Sequence, residues 1–151
     1  MNIYIDIDGV LLTRRQEVPS YISEFITFLI NNYSCFWLTT HCRHGQNQSI
    51  QYLSKFLQKE EVNLLNEVKE VFWDDLKTDG INFNEDFIWL EDCPFEAEKK
   101  VLKQNGKLSS LIKVNLDRAD ELKLVEKQIK FREQSWKMNK KRKENDRTTY
   151  S

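Results

Sequence analysis

Cysteine is scarce in this chain, and long apolar runs are missing. Its three cysteines, Cys35, Cys42 and Cys93, show no C-x-x-C spacing, and no secretory leader is recognisable ahead of them. We therefore expect free thiols in a reducing, cytoplasmic environment, which excludes a disulfide-stabilised secreted domain. No apolar stretch approaches the roughly 20 residues that a membrane-spanning helix needs, so we expect no membrane partner. Internal repeats and long linkers are also absent, and 151 residues fit one domain.

The two signs of charge are unevenly distributed along the chain. Residues 121–151 hold ten Lys or Arg and five Asp or Glu, a net charge of +5. Residues 1–120 hold thirteen basic and nineteen acidic residues, a net charge of −6. Hydrophobic residues make up 40% of the chain, enough for a packed core. We therefore expect an acidic folded body over 1–120 and a basic, helical tail over 121–151 that suits anions, nucleic acid among them.

Short apolar runs alternate with helical patterns. The apolar runs lie at residues 3–5, 35–38, 71–73, 87–90 and 111–114. The first helical pattern begins at Pro19. Four further patterns cover residues 46–58, 60–68, 95–104 and 117–136. Alternation of this kind predicts an α/β fold with a mainly parallel, five-stranded sheet and a C-terminal helical extension.

The first apolar run ends at two carboxylates and a glycine, which are Asp6, Asp8 and Gly9. Residues two apart on an extended chain point to the same side, so these carboxylates would repel each other unless a cation or a shared proton compensates them. An Asp-Gly pair is also typical of a hairpin turn. A turn alone would account for the glycine but not for a second acid on the same side. We therefore favour a functional site at this strand end.

Polar side chains also follow two other apolar runs. Thr39 and Thr40 follow the second run, and Glu91 and Asp92 follow the fourth. In parallel sheets the ligand crevice lies beyond the carboxyl ends of the strands. The hydroxyls and the acids are therefore expected at one edge of the sheet, although they lie far apart in sequence.

This ordered set resembles the haloacid dehalogenase-like (HAD) phosphohydrolase superfamily over about residues 1–115. The first family motif, a strand followed by Asp-x-Asp, corresponds to residues 6–10, and the second, a strand ending in Thr or Ser, corresponds to residues 37–40. The third motif is an isolated lysine, for which Lys77 is best placed, and the fourth is a strand ending in acids, residues 89–92. The resemblance implies that the acidic body is a HAD-like catalytic domain, a Rossmann-like three-layer sandwich.

The resemblance also implies a role for each side chain. Asp6 would be the nucleophile that forms an aspartyl-phosphate, and Asp8 would be the general acid and base. Thr39 and Thr40 are adjacent, so only one of them is expected to bind the phosphate, and Thr39 is preferred because it is nearer the apolar run. Lys77 would neutralise charge on the phosphoryl group.

The implied cofactor is Mg²⁺, because Asp6 and a substrate phosphate carry like charges. The implied ligands are Asp6, the backbone carbonyl of Asp8, and Glu91 or Asp92. The family more often has Asp where Glu91 stands, so Asp92 is the alternative ligand. Two further acids after an apolar run, residues 74–75, compete for the same role.

Further polar residues follow the threonine pair. His41, Arg43 and His44 are expected at the mouth of the substrate site, where Arg suits a phosphate. The alternative is that they are ordinary loop residues. His41 and His44 with Cys42 and Cys93 would offer zinc ligands, but their spacing is poor for such a site.

We expect a Mg²⁺-dependent phosphatase of the small, capless HAD type, acting on a phosphorylated small molecule or a nucleic-acid end. Neither insertion point of the family, residues 11–34 or 41–86, is long enough for a full cap domain, and an open site suits a bulky substrate. The motifs also look like those of small HAD domains in predicted RNA-repair proteins. The alternative is a non-enzymatic HAD-like binding or regulatory module, associated with nucleic acid through the tail. A receiver domain fits less well, because its phosphorylated Asp ends a middle strand.

Overall fold

The sheet has four parallel strands within residues 1–45 and 47–149, the part of the chain that the computed structural model describes. The strands are β1 (Asn2–Ile5), β2 (Ser34–Trp37), β3 (Phe87–Glu91) and β4 (Leu111–Lys113), and their order is β2-β1-β3-β4. Ile5 lies opposite Trp37 on one side and Leu90 on the other. Because β1 lies between β2 and β3, its carboxyl end opens at the middle of the edge, where ligands bind in such sheets.

Helices cover both faces of this sheet. They are α1 (Ile22–Asn32), α2 (Ser49–Leu53), α3 (Lys59–Leu65), α4 (Glu96–Gln104) and α5 (Glu121–Thr149), with 3₁₀ turns at Thr40–Gly45, Lys77–Gly80 and Leu108–Ser110. Helices α1, α2, α3 and α5 pack on one face, and α4 packs on the other. The predicted α/β fold, with a parallel sheet and a C-terminal helix, is confirmed.

Side chains of the two central strands alternate between two apolar clusters. On β1, Ile3 and Ile5 enter the larger cluster with α1 and α5, whereas Tyr4 enters the smaller cluster with α4. β3 follows the same pattern, with Leu90 in the larger cluster and Trp89 in the smaller one. Every residue of both strands is buried. Burial on both faces explains why these strands are almost continuously apolar in sequence.

The prediction of a fifth strand is wrong, because residues 71–73 do not form one. The chain touches the sheet just before this run, where Lys69 forms an isolated bridge with Phe36 of β2. Trp73 then packs into the smaller apolar cluster, and its indole Nε1 donates to the Thr39 carbonyl at 3.0 Å. The apolar character of the run therefore reflects side-chain burial, not strand pairing.

Several helices differ in extent from their predictions. α1 begins at Ile22 instead of Pro19, because Tyr21 has a left-handed backbone with a φ of 68°. The helix predicted over 46–58 is reduced to the five residues of α2 within the described chain. α5 continues to Thr149, beyond the helical pattern that ends at residue 136 and over most of the tail that was predicted to be helical.

The first half of α5 packs against the body. Its residues in the larger apolar cluster are Leu122, Val125 and Ile129. Arg132 Nη1 donates to the carbonyls of Ser109 and Leu111 at 2.8 Å each, which attaches the helix to β4. No helix within the described residues is both long and apolar enough to cross a membrane.

Leu90→Ala should lower the free energy of unfolding by about 2–5 kcal/mol, because it leaves a cavity at a fully buried position of β3. The matched change Leu108→Ala, at a side chain that is 45% exposed, should cost less than about 1 kcal/mol. Urea denaturation followed by circular dichroism measures both values. Equal losses in the two variants would contradict the place of Leu90 in the core.

Candidate functional site

The chain leaves β1 through a tight, hydrogen-bonded loop. The backbone N–H of Asp6 donates to the Leu90 carbonyl at 3.2 Å, and Asp6 Oδ1 accepts the Ile7 N–H at 2.8 Å. The N–H groups of residues 10–12 all donate to the Ile7 carbonyl, at 2.9–3.1 Å. The loop therefore fixes the Asp6 carboxylate immediately beyond the strand.

Gly9 is required in this loop by both backbone conformation and space. Its φ of 83° lies in the left-handed region that favours glycine. A Cβ at this position would lie 2.2 Å from the carboxyl carbon of Asp92. The loops after β1 and β3 therefore interlock, and the Asp-Gly pair serves this contact instead of a hairpin.

Lys77 joins the carboxyl ends of the two central strands. Its Nζ donates to Asp6 Oδ2 at 2.9 Å and to Glu91 Oε2 at 2.6 Å. Asp6 is 7% exposed and Glu91 is 3% exposed, so the contact is largely shielded from water. The lysine predicted for the third motif thus lies between acids from the first and the fourth.

Glu98 on α4 positions the segment that carries Lys77. Its Oε2 accepts the Lys77 backbone N–H at 2.9 Å, and its Oε1 accepts the Phe95 N–H at 2.9 Å. Glu98 is buried, and these two hydrogen bonds give each of its carboxylate oxygens a donor. Glu98 is not among the predicted site residues, although Glu at the third position of a helix is a recognisable capping signal.

Lys77 alone cannot compensate both neighbouring acids in their ionised form. Burial, and after it the charge of Asp6, raises the pKa of Glu91 to about 9. Burial opposes the charge of Lys77, but the carboxylates of Asp6 and Glu91 outweigh it and raise the Lys77 pKa. When both carboxylates are ionised, one lysine cation cannot compensate them, so the arrangement favours a second positive charge, either a proton on Glu91 or a metal ion.

Asp6, Glu91 and Asp92 form a cluster of potential metal ligands, with carboxylate oxygens within 4.8 Å of one another. Asp92 Oδ2 also accepts from Arg14 Nε at 2.7 Å. Burial opposes ionisation of Asp92, but hydrogen bonds with Glu91 and Arg14 outweigh it and lower the Asp92 pKa. An acidic, all-oxygen set suits a hard cation such as Mg²⁺. Both alternative ligands, Glu91 and Asp92, belong to this set.

Residues 74–75 are not part of this carboxylate cluster. Asp75 lines the same cleft as Asp6 and Glu91. The Asp74 carbonyl accepts from Arg43 Nε at 2.9 Å, and the Arg43 guanidinium lies 4.8 Å from the centre of the Trp73 ring. The competing acid pair therefore lies beside Arg43, which was predicted at the substrate mouth.

Asp8 is held by two stacked rings. Its Oδ1 accepts the Tyr52 hydroxyl at 3.0 Å, and its Oδ2 lies 3.2 Å from His41 Nε2. The rings of His41 and Tyr52 stack with their centres 4.2 Å apart. Gln16 Nε2 donates to the Tyr52 oxygen at 3.2 Å, which leaves the tyrosine proton for Asp8. His41, predicted at the substrate mouth, therefore contacts Asp8.

Tyr52 reaches Asp8 from α2 and is not among the predicted site residues. Its position on an amphipathic segment gives no signal that separates it from a core aromatic. The Asp8 side chain itself is not part of the carboxylate cluster. A metal contact through the Asp8 backbone carbonyl stays a prediction.

The threonine pair divides between the core and the cleft. Thr39 is fully buried, and its Oγ1 accepts a long hydrogen bond from the His41 N–H at 3.5 Å. Thr40 is exposed and lines the same cleft as Asp6. Exposure therefore favours Thr40, and not the preferred Thr39, as the hydroxyl that a substrate meets first.

One cleft of about 430 Å³ connects these groups. Its lining includes Asp6, Asp8, Thr40, Lys77, Glu91 and Asp92. A volume in this range accommodates a small organic ligand. The structure thus brings side chains from the ends of β1, β2 and β3 to one binding space.

The described residues do not support a zinc site. The Cys42 Sγ lies 3.2 Å from Asn47 Oδ1 and 3.3 Å from Ser49 Oγ. Burial raises the pKa of the Cys42 thiol, which disfavours the thiolate that zinc requires. The role predicted for His44 falls on a side chain outside the described part of the structure.

Part of the basic tail is engaged with acids. Lys137 pairs with Glu133 on the same helix, and Lys140 pairs with Asp86 on the body. The exposed cations beyond them are Lys141, Arg142, Lys143 and Arg147. Binding of nucleic acid by this stretch stays a prediction.

Comparisons with protein-family models, with curated proteins and with solved structures found no match for this chain. A function must therefore be inferred from the side chains themselves. The most informative group is the lysine shared by two shielded acids at the carboxyl edge of a parallel sheet.

Proposed function

We propose that this protein is a Mg²⁺-dependent phosphatase that hydrolyses a phosphomonoester through an aspartyl-phosphate. The observation that carries the proposal is the contact between Asp6 and Lys77, beside Glu91 and Asp92, at the end of a central strand. The order of the four sequence motifs, which resembles that of HAD phosphohydrolases, supports the same function. The proposed substrates are phosphorylated small molecules and nucleic-acid ends.

Asp6 is the proposed nucleophile. Both of its oxygens accept hydrogen bonds, from the Ile7 N–H and from Lys77 Nζ, so its orientation is fixed before a substrate binds. In the first step a carboxylate oxygen attacks phosphorus and the bond to the alcohol oxygen breaks. In the second step water attacks the same phosphorus, which releases inorganic phosphate and regenerates the Asp6 carboxylate.

Asp8 is the proposed general acid and base. Its side chain is 43% exposed and lines the cleft. It would give a proton to the leaving alkoxide and then take one from the attacking water. Contacts with Tyr52 and His41 orient its carboxylate for both transfers.

Lys77 and Thr40 are the proposed donors to the phosphoryl oxygens, and Thr39 is the second candidate hydroxyl. Two carboxylates and the Glu98 hydrogen bond to its backbone hold Lys77 in place. Donors fixed in this way stabilise developing charge without reorganising. Arg43, beside Trp73, would meet the part of the substrate outside the reacting phosphate.

The proposed holders of Mg²⁺ are Asp6, Glu91 and Asp92, with the backbone carbonyl of Asp8 as a further ligand. The raised pKa of Glu91 fits this role, because a nearby cation would favour the ionised carboxylate. When bound, the ion neutralises the like charges of Asp6 and the substrate phosphate.

Asp6→Asn should lower the Mg²⁺-dependent hydrolysis of para-nitrophenyl phosphate by at least about 10³-fold, because an amide is a poor nucleophile. The matched control is Asp120→Asn. Asp120 is exposed and has a φ of 55°, which asparagine tolerates. Absorbance of the released nitrophenol measures both variants.

Undiminished hydrolysis by the Asp6→Asn variant would refute Asp6 as the nucleophile. The unaltered protein should also be assayed with nucleotides and oligonucleotide ends. Absence of turnover on every one of these esters would favour the alternative, a binding module without catalysis.

Mg²⁺ should bind more tightly as the pH rises toward 9. The raised pKa of Glu91, about 9, means that below this pH the ion must displace a proton from the carboxyl group. Affinity should therefore fall by up to about tenfold for each unit that the pH drops. Glu91→Gln should weaken binding and flatten the pH dependence. Calorimetric titration at several pH values measures both, and a pH-independent affinity of the unaltered protein would contradict this role.

Tyr52→Phe should lower kcat by about tenfold with little change in KM, because it removes the hydrogen bond that orients Asp8 and keeps the ring stack with His41. Tyr33→Phe is the matched control, since the Tyr33 hydroxyl donates to Glu133 on α5 instead. Steady-state kinetics with para-nitrophenyl phosphate compare the two. An equal fall in kcat for both variants would argue against a positioning role of Tyr52.

A further inference from the structure

A second, larger cleft of about 740 Å³ adjoins the catalytic one. It lies between the loop after β1 and the segment after β4. Arg14 and Asp92 line both clefts, and Arg14 Nε donates to Asp92 Oδ2 at 2.7 Å. The two clefts therefore share this ion pair as a common wall.

Four cations and three acids line this second cleft, which we call the basic cleft. The cations are Arg14 and Arg15 from the loop after β1, and Lys113 and Arg118 from the side of β4. All four are exposed, and within the described structure the last three form no ion pair shorter than 4 Å. The acids of the lining are Glu17, Asp92 and Asp117, of which Asp92 is already paired.

This local excess of positive charge is opposite to the charge of the surrounding body. Residues 1–120 carry a net charge of −6. A group of cations in a concave surface attracts anions to that place and raises their local concentration. The basic cleft is therefore suited to an anionic group other than the phosphate beside Asp6.

The backbone that carries these cations is ordered by its own hydrogen bonds. Arg14 and Arg15 lie on a turn over residues 13–17 that is closed by backbone hydrogen bonds of 2.8 and 2.9 Å. Arg118 ends a second turn, over residues 115–118, closed by a backbone hydrogen bond of 3.1 Å. Because both walls are fixed in the free protein, less ordering is needed when a ligand binds.

An exposed aromatic ring indicates what kind of ligand could occupy both clefts at once. Phe95 lines the catalytic cleft and is 62% exposed. Exposed aromatic rings in a binding cleft suit stacking with a nucleobase. A nucleoside beside Phe95, with phosphates in both clefts, would use the apolar and the cationic surfaces together.

We propose that the basic cleft binds a second phosphate of the substrate, which is then a nucleoside bisphosphate or a terminally phosphorylated oligonucleotide. The inference rests on the proposed function, because the reacting phosphate must lie at Asp6. The second phosphate lies on the other side of the Arg14–Asp92 pair. Arg15 and Arg118 donate to its oxygens from opposite walls, as guanidinium groups commonly do.

Binding of three adenine ligands to the full chain tests this proposal. Calorimetry with the Asp6→Asn variant and Mg²⁺ compares adenosine 5′-monophosphate, adenosine 3′,5′-bisphosphate and 5′-phosphorylated diadenylate. We expect one or both of the last two to bind at least about tenfold more tightly than the monophosphate. The tighter of the two identifies the source of the second phosphate. Equal affinity for all three ligands would overturn the proposal.

A double variant, Arg15→Gln with Arg118→Gln, should remove this advantage and leave the affinity for the monophosphate within about twofold. The matched control, Lys55→Gln with Lys59→Gln, removes the same charge from exposed positions outside both clefts and should keep the advantage. An equal loss in both double variants would overturn the proposal, because it would reflect net charge alone.

Turnover of para-nitrophenyl phosphate by the unaltered protein separates this proposal from the phosphatase function. Turnover without a binding advantage for the two-phosphate ligands refutes the proposed role of the basic cleft and leaves the phosphatase function standing. A binding advantage without turnover of this ester, of nucleotides or of oligonucleotide ends refutes the phosphatase and supports the cleft as a two-phosphate site.

Discussion

One lysine between two shielded acids is the interaction on which the rest of the site depends. Asp6 and Glu91 lie at the ends of neighbouring strands, and without Lys77 these two carboxyl groups could not both ionise away from water. Lys77 lies 71 residues after Asp6 and is anchored through Glu98 to the start of α4. The contacts of Lys77 therefore link three parts of the fold. They connect the ends of β1 and β3, the turn that carries the lysine, and the first turn of α4.

The centre of the fold could be predicted from the sequence, because strands covered on both faces are continuous apolar runs. Runs 3–5 and 87–90 became β1 and β3, whereas run 71–73 has the same appearance and packs as a loop. Apolarity reports burial of side chains and not hydrogen bonding of the backbone, which is why the number of strands was wrong. The hydrophobic pattern stops at residue 136, short of the end of α5, for a related reason. Ion pairs such as Glu133 with Lys137 support its outer part, and a hydrophobic pattern does not detect them.

In the candidate site, the residues at strand ends could be predicted from the sequence, and those on helices could not. Asp6 and Glu91 could be predicted as neighbours because parallel topology brings the carboxyl ends of strands together. Tyr52 and Glu98 reach the site from helices, so their places depend on how those helices pack. The exposure of Thr39 and Thr40 could not be predicted either, because proximity to the apolar run does not tell which of two adjacent side chains is buried.

Helix α5 also affects how the sheet meets other molecules. β4 is the last strand on its side and has only three residues, and Arg132 occupies the Leu111 carbonyl there. At the opposite margin, Lys69 bonds with backbone groups on either side of Phe36. Unpaired strand margins are templates for aggregation, and both margins are partly blocked. The C-terminal helix therefore helps to protect the protein against edge-to-edge association of its copies, whatever its outer cations bind.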